Sequence, residues 1–142
     1  MSQITGRSFK LSKDELLSGH DTFKKVFRLS IVLESEFLRF NYILSNIEES
    51  PQHSIKVGFS VSKKYIKKAV SRNRLRRILK EIYRINKNRE TMNILKEISY
   101  LIISVKEKYL YNNSFLIKSG FRVLNNDYKV LTEKLYSRIS GK

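Results

Sequence analysis

The chain contains no cysteine. That absence excludes a disulfide framework, Cys-ligated zinc fingers and knuckles, and thiol nucleophiles. Its five glycines, at positions 6, 19, 58, 120 and 141, never cluster. A glycine-rich phosphate loop of the P-loop or dinucleotide kind is therefore missing, and nucleotide hydrolysis with it. The most apolar run, Tyr100 to Val105, is far short of the ~20 residues a membrane-spanning helix needs. The N-terminal stretch "MSQITGRSFKLSKDELLSG" mixes charges of both signs and lacks the apolar centre of a secretory signal. A cytoplasmic location is the expectation.

Acidic residues are few, thirteen in 142, and mostly isolated. The pairs Asp14/Glu15 and Glu48/Glu49 are adjacent in sequence, and adjacent residues do not converge on one face of a helix or strand. His20 and His53 have no companion His, Cys or acid at ligand spacing. A protein-borne nuclease or hydrolase centre needs clustered carboxylates or a nucleophile beside a base. Neither is visible, so no residue is assigned as catalytic or as a metal ligand, and any catalysis has to come from a partner.

What the chain does have is positive charge: 29 lysines and arginines, for a net charge of +16. Apolar residues still make up 41% and aromatics 11%, a globular composition, so the charge sits on a folded surface. The length suits one domain over residues 1–142, with 1–20 as an N-terminal extension that need not be ordered. The stretch "SVSKKYIKKAVSRNRLRRILKEIYR", Ser60 to Arg84, holds ten bases against Glu81 alone, and so carries nine of the sixteen net charges. Such self-repulsion is offset by a polyanion, with nucleic acid ahead of a membrane surface.

Periodicity gives the element order. Ser12 and Glu15 have capping-box spacing before Leu16 and Leu17, which predicts a helix start. A second start at Asp21 leads into Phe23, Val26 and Phe27 on one helix face. Two-residue alternation through Leu38, Phe40, Tyr42 and Leu44 predicts a strand, with a shorter one at Ile31 to Leu33. "SIKVGFSV" predicts another, paired with it as an antiparallel hairpin across the loop that holds Pro51, the only proline. Gly58 marks a bulge or a close backbone approach.

A helix follows, with Leu75, Ile78, Leu79, Ile82 and Ile85 on its buried side and Asn73, Arg77, Lys80 and Arg84 opposite. Arg72, Arg74 and Arg76 lie on the flanks, and Arg77 is placed to pair with Glu81. "ISYLIISV" reads as a buried strand. A long helix with a seam of Ile117, Phe121, Leu124, Tyr128, Leu131 and Leu135 ends the chain. The fold class is α+β, helices packed on a small sheet.

Arginine forks match phosphate oxygens better than lysine point charges, and the Asn73 amide can bond phosphate, sugar or a base edge. Neither a helix-turn-helix nor a zinc module is evident, so DNA is not the expected partner. Backbone contacts plus aromatics that stack unpaired bases favour RNA. Phe23, Phe27, Phe40 and Tyr42 could form such a platform, while a core role for Phe23 and Phe27 stays open on the pattern alone. A structural RNA-binding protein such as a ribosomal component fits the same residues.

"SVSKK" leading into "AVSRNRLRRILKEIYR" resembles the signature of the bacterial ribonuclease P protein subunit, with Arg72, Asn73 and Arg74 as its RNR box. The resemblance extends more weakly through "DTFKKVF", "EFLRFNYIL" and "YLIISV", about Asp21 to Val105. It implies an αβββαβα sandwich with a left-handed βαβ crossover, against the usual hand. It also implies an accessory role beside a catalytic RNA that removes the 5′ leader of precursor tRNA, using Mg2+ on the RNA and no cofactor on the protein. Carried over by position, Arg72, Asn73, Arg74, Arg76, Arg77 and Lys80 would dock on that RNA. Phe23, Phe27, Phe40, Tyr42, Lys63 and Lys64 would bind the single-stranded leader. Many members carry a glycine after the paired lysines, whereas this chain reads "YIKKA", one residue longer. The conformation of Tyr65 to Lys68 is left open.

Overall fold

The computed structural model describes residues 13–45, 55–88, 93–107 and 113–141, with side chains in the last segment described from Gly120 onward. A 3-10 turn at Lys13–Glu15 precedes helix α1 (His20–Leu29) and strands β1 (Ile31–Glu34), β2 (Leu38–Leu44) and β3 (Lys56–Ser60). Helix α2 (Ala69–Ile85), strand β4 (Ile98–Val105) and helix α3 (Asn113–Ser140) complete the named elements. From α1 on, this is the αβββαβα order.

The strands lie in the order β1-β2-β4-β3, with β3 and β4 parallel and the other pairs antiparallel. The expected β2–β3 hairpin is thus overturned, because β4 inserts between those strands. Its residues explain the position: Leu101, Ile102 and Ile103 are all buried, on alternate faces. A strand apolar on both faces gains most from a central place. β3, α2 and β4 form the βαβ unit.

The pairing register sorts the side chains between two faces. On one, Phe40 pairs with Ile103, and Tyr42 with Leu101 beside Val57. This face is covered by Leu75, Leu79, Ile82 and Tyr83 of α2 and by Leu124, Tyr128, Leu131 and Leu135 of α3. Phe40 meets Tyr128 edge-on at 5.7 Å, and Phe59 meets Tyr83 at 6.0 Å. Burial raises the pKa of both Tyr83 and Tyr128 well above the ordinary phenol value. Tyr83 replaces Ile85 on the buried side of α2: Ile85, the last helical residue, is 45% exposed because it extends past the core. Of the α3 seam, Phe121 is exposed, and the Ile117 side chain lies outside the described residues.

The opposite sheet face carries Gly58–Ile102–Asn41 and Tyr100–Ile43. It is covered by Val26 of α1 and by Leu17, with Phe23 packed alongside. Gly19, at φ 97°, permits the sharp entry into α1. Gly58 is the close approach: a Cβ there would stand 2.6 Å from Phe23 Cζ. Only glycine lets the ring rest on β3.

Ser12 lies outside the described residues, and no α-helix forms at Glu15. Instead Leu16 bridges Val57, and the Leu17 amide donates to the Val57 carbonyl at 2.8 Å, because the exposed edge of β3 needs a partner. The described part of the N-terminal extension is therefore packed. Lys87, 6% exposed, holds it through both Glu15 oxygens at 3.0 and 2.9 Å. Buried Asp127 of α3 likewise clamps the β1–β2 turn, accepting from Ser35 Oγ at 2.5 Å and the Phe37 amide at 2.9 Å.

Candidate nucleic-acid interface

Helix α2 presents its cations because its other side is committed to the core. Leu75, Leu79 and Ile82 are at most 1% exposed, which fixes the rotation of the helix and turns Asn73, Arg74, Arg77 and Lys80 to solvent. Its first turn holds no acid, and no side chain caps its N-terminus. Positive charge there opposes the helix dipole. Folding stability alone does not account for that arrangement.

The arginines are not equivalent. Arg72 Nη1 donates to the carbonyls of Ile66 and Lys67, at 2.9 and 2.8 Å, so this guanidinium is partly spent on holding the linker. Arg76 Nη2 donates to Asn73 Oδ1, which orients the amide. Glu81 pairs with Arg84 rather than Arg77, through contacts of 3.1 and 2.6 Å, because the i,i+3 fork fits both carboxylate oxygens. These hydrogen bonds hold the Glu81 carboxyl below its usual range. Arg74, Arg77 and Lys80 are the exposed α2 cations without an ion pair among the described residues.

The linker needs no glycine. Lys64 N donates to Ser62 Oγ at 3.1 Å, and Ile66 N donates to the Ser62 carbonyl at 3.1 Å. Ile66 is buried, and among the described residues no non-glycine has positive φ. Buried Ile66 and Arg72 do the anchoring, leaving Lys63, Lys64, Lys67 and Lys68 exposed beside the helix start.

A groove of about 480 Å³ joins α2 to the other side of the sheet. Leu16, Leu17, Ser18 and Phe23 line one side, Val57, Gly58 and Phe59 contribute from β3, and Asn73, Arg76, Arg77 and Lys80 form the cationic wall. Phe23 is therefore brought to the arginine array. Phe27 stands 6.5 Å from Phe23, centroid to centroid, and is 43% exposed among Lys24, Lys25 and Arg28.

Phe40 and Tyr42 are not in this surface. At 0% and 1% exposure they fill the core under α3, since the fully apolar set of an alternating strand is the set that buries. Their placement in a leader cleft is corrected. The polar β2 residue buried on the α1 side, beside Ile43, is Asn41, whose Nδ2 donates to Ser30 Oγ at 3.0 Å. Its buried Oδ1 has no partner among the described residues. Alternation alone could have placed Asn41, by assigning the mixed set Arg39, Asn41 and Ile43 to the face opposite the core of α2 and α3. The strap at residues 16–18 gave no sequence signal, being too short for a period.

The family model for ribonuclease P matches residues 11–132. The chain belongs to the ribonuclease P protein family. The ribonuclease P protein component of Chlorobaculum tepidum is 34% identical over 83 residues, 58% of this chain and 54% of that protein. That of Prochlorococcus marinus (strain MIT 9301) is 40% identical over 78 residues, 50% and 61%. The chain thus spans about half to three-fifths of the length of these relatives. The ribonuclease P protein of Staphylococcus aureus aligns over 84% of this chain and 93% of its own, with TM-score 0.60 and 16% identity. That of Thermotoga maritima aligns over 84% and 96%, with TM-score 0.59 and 19% identity. At these identities the likeness is one of fold, and it covers the layered ribonuclease P protein architecture described above.

Among the described residues no three His, Asp or Glu side chains converge as metal ligands, and no helix is long and apolar enough to cross a membrane.

Proposed function

We propose that this chain is the protein subunit of a ribonucleoprotein ribonuclease P, docking on a catalytic RNA and assisting removal of the 5′ leader from precursor tRNA. The observation that carries the reading is the exposed row Arg74, Arg77 and Lys80, anchored by a buried helix face and without acidic partners among the described residues, in a chain whose residues 11–132 match this family.

The protein's part is binding and positioning. Arg74, Arg77 and Lys80 engage phosphates of the RNA partner, and Arg76 and Asn73 act as a preset pair beside them. Arg72 contributes its remaining donors while fixing the linker, so Lys63 and Lys64 stay beside the same surface. The leader runs past Phe27 and the exposed Lys24, Lys25 and Arg28 of α1, where aromatic surface and cations suit unpaired bases and their phosphates. Mg2+ belongs with the RNA in this account. A protein-held Mg2+ uses carboxylates with waters and phosphates, and the one acid of α2, Glu81, is occupied by Arg84.

The test is reconstitution with a bacterial-type catalytic RNA at low Mg2+, using precursor tRNA with and without a leader. Restored 5′ cleavage, with tighter binding of the leader-containing RNA, is expected. No stimulation would refute the function and leave a structural RNA-binding role. Equal stimulation of both substrates would refute the leader contact alone.

A further inference from the structure

We propose that Tyr65 is a positioning residue for RNA binding: it holds Lys64 in place for a backbone phosphate of the bound RNA and leaves that lysine's charge and donors available. This rests on the RNA-docking reading above and adds which linker cation is preset, and by what.

Lys64 is exposed, yet it is fixed from both ends. Its amide donates to Ser62 Oγ at 3.1 Å, and its ammonium lies 5.5 Å from the centroid of the Tyr65 ring. The ring is itself anchored: it packs half-buried against the core, and its hydroxyl donates to Glu107 Oε2 at 3.2 Å, just beyond β4. On its other side Ile66 is buried, and Arg72 takes the carbonyls of Ile66 and Lys67. The ring is therefore tied down before and after the lysine needs it. Among the described residues, Lys64 is the one linker lysine whose ammonium meets a partner. The kind of partner decides what the lysine can do. A carboxylate would neutralise it, as Glu81 does Arg84. An aromatic face attracts a cation through its quadrupole and takes none of its three N–H donors. Glu107 accepts from the tyrosine hydroxyl, and no ion pair joins it to Lys64 among the described residues. Lys64 thus stands ordered and fully charged beside Lys63, Lys67 and Lys68, as phosphate binding requires. Ordering a long side chain in advance reduces the entropy lost on binding.

Binding is measured across a salt series in three arms: the whole chain with catalytic RNA, and the assembled holoenzyme with precursor tRNA that has or lacks its leader. Tyr65→Leu removes the ring and the hydroxyl and should raise the Kd about fivefold in the arm that supplies the phosphate, the order of immobilising one long side chain. The salt slope should stay at the parent value, because no charge is lost. Tyr65→Phe keeps the ring over the lysine and should raise the Kd about twofold; it carries the same test if the leucine variant loses its fold. Lys64→Gln should lower the slope by about one. Adding Tyr65→Leu to Lys64→Gln should then change the Kd no further, because the ring acts through the ammonium. The arm that shows these changes identifies the phosphate as belonging to the catalytic RNA, the leader or the tRNA body. An unchanged Kd for both Tyr65 variants in every arm, a lowered slope for either, or an undiminished loss when Lys64→Gln is already present would overturn the proposal. Failure of the unmodified protein to activate the RNA would instead refute the functional reading.

Discussion

The pair between Glu15 and Lys87 joins residues 72 positions apart and ties the strap to the end of α2. Its two side chains are unequally buried, 4% exposed for Lys87 and 18% for Glu15, and the asymmetry makes a sharp prediction. Glu15→Leu leaves a nearly dry ammonium whose remaining described contact is the Tyr83 ring, 5.8 Å from Nζ. That should cost about 3 kcal/mol, the low end for breaking a buried pair. Lys87→Met leaves a carboxylate that water can still reach and should cost about 1–2 kcal/mol. The double variant removes both charges and should return to within about 1 kcal/mol of the parent, giving a coupling energy above about 2 kcal/mol. Urea unfolding of the four proteins at one pH measures all three quantities. Equal single-variant costs below about 0.5 kcal/mol, or an additive double variant, would refute both the burial argument and the role of the pair in fixing the strap.

Tyr83 OH is buried without a partner among the described residues, so Tyr83→Phe should be neutral or stabilising by about 1 kcal/mol in thermal unfolding. Because the folded phenols of Tyr83 and Tyr128 have raised pKa values, their contribution is complete below the unfolded value of about 10 and lost as pH rises beyond it. Tyr83→Phe should therefore lose less stability in alkali, and a steeper alkaline loss would contradict the burial. Gly58→Ala drives a methyl into Phe23 and should cost about 1–3 kcal/mol, relieved when Phe23→Leu is added; an additive pair would show that the ring does not rest on β3. Asp127→Ala removes the acceptor shared by Ser35 Oγ and the Phe37 amide, for about 2 kcal/mol in urea unfolding. Unchanged hydrogen exchange at Phe37 would argue against the clamp.

The basic face of α2 was legible because seventeen residues of helix give a periodic pattern time to declare a buried side, and the misassigned Ile85 sits where that side runs out. β4 was legible as buried, but its place between β2 and β3 was not, since the pairing is set by which strand is apolar on both faces. Phe40 and Tyr42 went to the wrong layer because their aromatic character was weighed above their alternation. Glu15–Lys87 and Asp127–Ser35 lie 72 and 92 residues apart, and no local pattern signals such contacts. The RNR resemblance supplied the proposed function, while the structure separates the cations of this stretch into a linker anchor, a preset pair and an exposed row.

The central claim is that this exposed row docks on RNA phosphates. Its most direct test is the salt dependence of catalytic-RNA binding for the parent, Arg74→Ala, Arg77→Ala and the double variant. Each single change should lower the slope of log K against log salt by about one, and the double change by about two. Slopes equal to the parent's, with affinity unchanged, would contradict the account.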